Sequence, residues 1–131
     1  MLKISTSVAN LVTILELIGR GNLHWSLRHV WVTSKRGSNV NVFELEEKTR
    51  GEFGYQLDWD SLMSLANQLE QVTDCTLIGV ESTELLPNRS IPVEDLREVC
   101  DVIIESVDST YWEVHLKDKV LFRKLAERFS S

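Results

Sequence analysis

Tyr111, Glu113 and His115 are spaced two apart within residues 102–116, a stretch that mixes β-branched and aromatic residues with carboxylates. On a strand that spacing puts all three side chains on one face, with Asp108 just beyond them. A tyrosine, a carboxylate and an imidazole in a row can orient a general base, which is the chemistry of a small hydrolase-like enzyme. Period-two alternation also makes such rows by chance, and a solvated sheet face with cross-strand ion pairs is the more economical account. The row is a weak catalytic candidate.

Asp58, Trp59 and Asp60 set two carboxylates beside an aromatic ring, as a glycan site does. Both acids also suit the start of a helix, where one caps the first turn and both complement the dipole. The three histidines build no metal site: His24 and His29, five apart, are expected on opposite faces of one strand. No Cys-x-x-Cys or His-x-x-x-His spacing occurs. Cys75 and Cys100 sit among apolar neighbours with no nearby base in sequence, so two reduced core thiols are expected rather than a bridge or a nucleophile. Gly19-Arg20-Gly21 follows a helical stretch and lacks the third glycine of a dinucleotide loop, and the sequence calls for no cofactor.

Arg28, Lys35 and Arg36 form the best basic group, and with Trp25 and Trp31 nearby they suggest stacking on single-stranded nucleic acid. Those tryptophans alternate in phase with Leu23 and Leu27, however, so core burial is expected for both. The charge pattern also opposes a polyanion. Net charge is −6. The carboxylates are concentrated in the middle of the chain, and both ends are basic. A nucleic-acid partner is therefore disfavoured. Trp59 and Trp112 each adjoin acids; partial exposure is expected for Trp59 and packing for Trp112.

The elements that must hold these residues follow from periodicity. Val8, Leu11, Val12, Leu15 and Ile18 give a helical stripe over about 6–19, ended by Gly19. Alternation from Leu23 to Val32 predicts a strand. After a turn at 34–38, Val40, Val42 and Leu45 predict its return partner in a hairpin. Phe53, Tyr55 and Leu57 read as a short strand. A helix begun at Asp58 or Asp60 carries the stripe Leu62, Leu65, Ala66, Leu69 and Val72, and a strand follows over 75–81. Residues 82–92, with Pro87 and Pro92, read as the one flexible loop. A short helix then ends near Val99. The β-branched triplet Val102-Ile103-Ile104 opens a strand that turns at Asp108-Ser109 and returns over 110–116. The last helix, from Asp118, buries Leu121, Phe122, Leu125 and Phe129.

These expectations describe one α+β domain over residues 1–131: a mostly antiparallel sheet of five to six strands with about three main helices packed on it. No apolar run is long enough to cross a bilayer, and residues 1–6 lack a signal-peptide core, so a cytoplasmic location without membrane attachment is expected. The missing catalytic constellation, the acidic middle and the four tryptophans favour a small acidic protein-binding module, of inhibitor or immunity type, that occludes a basic protein. Its expected partner-binding residues are Asp58, Trp59, Asp60, Glu105, Asp108 and Glu113. The hydrolase-like row and a homo-oligomeric structural subunit are the alternatives.

Overall fold

The computed structural model describes residues 1–129, apart from the side chain of Val93. Six strands, β1 (Leu2–Ser5), β2 (His24–Ser34), β3 (Tyr55–Leu57), β4 (Leu69–Val80), β5 (Val102–Val107) and β6 (Tyr111–Leu116), join in one sheet. Its order is β1-β6-β5-β4-β2-β3, and every neighbouring pair is antiparallel. The helices are α1 (Leu11–Ile18), α2 (Val42–Thr49), α3 (Trp59–Asn67), α4 (Val93–Val99) and α5 (Lys119–Phe129). The architecture is α+β, as the runs of strands imply.

The two faces of the sheet are covered unequally. On the first, Leu77, Ile104, Val114, Trp25 and Trp112 pack against Ile14 and Leu15 of α1, Leu62 of α3 and Leu125 of α5. Trp112 also donates its Nε1–H to the Ala9 carbonyl at 3.1 Å, which ties the start of α1 to β6. On the second face a smaller cluster joins Ile78, Val80 and Ile103 to Leu86 of the preceding loop, Leu96 of α4 and Cys100. This second cover reaches only part of the sheet. Further along, α2 flanks β2, and its Glu46 and Thr49 line a cavity with His29 and Trp31.

Local chemistry sets the helix ends. Asn10 Oδ1 accepts from the Thr13 N–H at 2.9 Å, and Asp58 Oδ1 from the Ser61 N–H at 2.8 Å, each cap contributing about 1 kcal/mol. Gly19, at φ 80°, returns its N–H to the Leu15 carbonyl and stops α1 where the sequence predicts. Gly54, at φ 75°, lies so close to Ser26 Oγ and the Leu27 carbonyl that a side chain there has no room.

Several expectations are corrected. Residues 40–45 are not a return strand: Asn41 Oδ1 accepts from the Glu44 N–H, and Val42–Thr49 forms α2. The partners of β2 are β4 and the short β3 instead. Leu69 and Val72 belong to β4 rather than to the stripe of α3, because the helix ends at Asn67 and the next residues pair with Ser34 and Val32. Residues 2–5 form an edge strand on β6. The first helix accordingly starts at Leu11, not near residue 6. The loop at 82–92 is pinned: buried Arg28 donates to the Pro87 and Asn88 carbonyls at 2.7 and 2.9 Å, and Arg89 donates to the Thr49 carbonyl.

The bulge in β2 carries the largest correction. Leu27 opposes Leu77 but His29 opposes Thr76, so Arg28 is an extra residue and the alternation inverts beyond it. Val30 and Val32 then enter the core while Trp31 turns outward, 59% exposed against 2% for Trp25. The same inversion puts His24 and His29 on one face rather than two. Among the described residues no group of three potential ligands assembles for a metal.

Candidate functional site

The uncovered part of the second face is built from strand register. One row runs straight across five strands: Lys3 opposes Glu113, Glu113 opposes Glu105, Glu105 opposes Thr76, and Thr76 opposes His29. The row further from α4 pairs Ser5 with Tyr111 and Tyr111 with Val107, and Trp31 with Asp74. The row on the α4 side, His115, Ile103, Ile78 and Ser26, contributes Ile103 and Ile78 to the cluster under that helix. The open face thus carries carboxylates, two aromatic rings and a threonine.

Glu105 and Glu113 sit directly opposite each other, half-buried, and neither forms an ion pair among the described residues. Like charges in that position destabilise a ladder. Burial, and next the negative charge of Glu113, push the Glu105 carboxyl above its ordinary range; Arg97 opposes the shift. Lys3 is the nearest cation by register, yet its Nζ lies 4.8 Å from the Tyr111 ring centroid in a cation–π contact. Neither acid is closed into an ion pair by Lys3 or Arg97.

Tyr111, Glu113 and His115 do share one face, as their spacing predicts, on three successive rows of the sheet. His115 opposes Ile103 beside α4, and its Nε2 is buried without a hydrogen-bond partner. Burial, then the positive charges of Arg97 and the amino terminus, lower the imidazole pKa. A shallow cavity of about 270 Å³ next to it is lined by Glu94, Arg97, Ile103 and Glu105, and takes in none of the three.

The six expected binding residues divide between two places. Glu105 and Glu113 lie on the open face, and Asp108 at the β5–β6 turn beside it, at φ 51° with its N–H donating to Asp74 Oδ1 at 3.3 Å. Asp58, Trp59 and Asp60 start α3, which packs on the other face. Asp58 is the cap of that helix, and the bonds it accepts from Ser61 hold its carboxyl below the ordinary range. Asp60 is paired with Arg20. Trp59 is half-buried, its ring centroid 6.2 Å from that of Trp25. These three have structural roles.

Asp74 escaped sequence reasoning as a binding position, and Trp31, weighed only as a stacking ring for nucleic acid and expected in the core, is turned outward by a bulge that has no sequence signal of its own. The basic group around Arg28, disfavoured in the sequence as a nucleic-acid platform, is not gathered on the open face. Arg28 is buried on backbone carbonyls and Trp25 is in the core. Nor does any helix among the described residues reach the length and apolarity needed to cross a membrane. Cys75 and Cys100 are free and buried, and burial is the main cause that pushes their thiols up to about 12 and about 11, so neither is a nucleophile at neutral pH. No protein-family model matches this chain, and no curated protein or solved structure is detectably similar to it.

Proposed function

We propose that this protein is a cytoplasmic protein-binding module that occludes a basic partner with the uncovered half of its sheet, in the manner of a small inhibitor or immunity protein. The observation that carries this reading is the directly opposed pair Glu105 and Glu113, half-buried and, among the described residues, in no ion pair. A lysine or arginine delivered by a partner relieves their repulsion and gains most where the partner also excludes water. Net charge of −6 adds long-range steering toward a basic surface, and it acts on association rate more than on lifetime. Two free buried cysteines suit a reducing compartment.

Affinity capture from native lysate, run with the natural protein and with the double variant Glu105→Lys, Glu113→Lys, tests the reading. The expected result is one basic protein retained by the natural chain, released at high salt, and missing from the variant. Retention of the same protein by both chains, or of an acidic protein, contradicts it.

A further inference from the structure

The reading above leaves open which cation the face prefers, and Trp31 bears on that choice. The residue is 59% exposed on a sheet surface. Across the ladder it directly opposes Asp74, whose carboxylate accepts one hydrogen bond at Oδ1, from the Asp108 N–H, and has acceptor capacity to spare. Directly opposed side chains start about 5 Å apart at Cβ, so one group is within reach of both the ring and the carboxylate. On its other flank Trp31 lines a cavity of about 290 Å³ with Glu46, Arg50 and Arg89. Arg50 is engaged by Glu47, and Arg89 by the Thr49 carbonyl. Those two guanidinium groups thus have partners within the chain, and Asp74 is the carboxylate that register sets directly opposite Trp31.

Guanidinium suits this position better than ammonium. It is planar and weakly hydrated, so it stacks on an indole face while its N–H fork meets a carboxylate. An ammonium is held by the same carboxylates but has no flat face to lay on the ring. We propose that the partner of the open face presents an arginine whose guanidinium stacks on Trp31 and bonds to Asp74. This rests on the basic-partner reading and names the residue that the partner inserts.

Titration calorimetry with an arginine decamer and a lysine decamer tests it. The natural protein is expected to bind the arginine peptide about fivefold tighter, the preference a stacked guanidinium gives at a partly exposed ring. Trp31→Leu keeps apolar bulk without the ring and should erase that preference, weakening arginine binding more than lysine binding. Asp74→Asn, which preserves the oxygen that meets the Asp108 N–H, should narrow it. Glu105→Gln with Glu113→Gln should weaken both peptides alike. Equal binding of the two peptides by the natural chain, or a preference that survives Trp31→Leu, overturns the arginine assignment and leaves the basic-partner reading standing. Failure of both peptides to bind overturns the reading itself. Concentration-dependent dimers of the protein alone, abolished by Trp31→Leu, would give the face to a second copy and overturn the proposal too.

Discussion

Glu105 and Glu113 face each other across β5 and β6, and their cost to the free protein has a sign that can be measured. Glu105 has its folded pKa raised, so the folded state holds its proton more tightly than the unfolded chain does. The stability this gives is fully present below the unfolded carboxylate range and is lost as pH rises through the folded pKa. Glu105→Gln is therefore expected to stabilise the protein at neutral pH, by about 0.5 kcal/mol for a half-exposed cross-strand pair after screening. The gain should shrink to nothing as pH falls below the ordinary carboxylate range. Urea midpoints of both chains across that window check it; a destabilised variant at neutral pH contradicts the account of the pair. These two acids were legible in the sequence as binding candidates, since alternation alone gives their faces. Their direct opposition was not, because register depends on where the Asp108-Ser109 turn closes.

At the scale of elements, Arg28 is the point where a strand irregularity organises a neighbouring loop. It is the extra residue of the bulge, and its two bonds fasten the Pro87 and Asn88 carbonyls. Arg28→Met keeps the stem's packing and removes both charge-assisted bonds, leaving the buried carbonyl of Pro87 unpaired, at a cost of about 2 kcal/mol. Amide exchange should accelerate at Leu86, Arg89 and Ile91 while the central strands stay protected; unchanged protection of that loop contradicts the role given to Arg28. In the second half of the chain the sequence foretold the start of α3, the β5–β6 hairpin and α5, but it ran α3 on through Leu69 and Val72, which belong to β4. Asp58, the Val102-Ile103-Ile104 triplet and the Asp108-Ser109 turn each carry a local signal there. It misled at residues 40–45 and at Trp31. A run of Val40, Val42 and Leu45 fits both periods until the Asn41 cap is weighed, and a one-residue bulge reverses every later side chain on its strand.

Across the whole molecule, the sheet separates two surfaces of different character. One side is closed by α1, α3 and α5, and the exposed positions of α5 include Lys119, Arg123, Lys124 and Arg128. The other is half closed by α4 and leaves the Glu105–Glu113 row and Trp31 in reach of solvent. Fold class was readable from the runs of strands, whereas this asymmetry was not, since which face a helix covers is decided by long-range packing. Composition and spacing had grouped Asp58 and Asp60 with Glu105 and Glu113, and the fold puts the sheet between them. Amide-shift mapping of the isotope-labelled protein with its captured partner tests the central claim most directly. The account predicts perturbations concentrated at Trp31, Asp74, Glu105, Val107, Tyr111 and Glu113, with α1 and α5 undisturbed. Perturbations centred instead on the start of α3 or on the basic positions of α5 would contradict it.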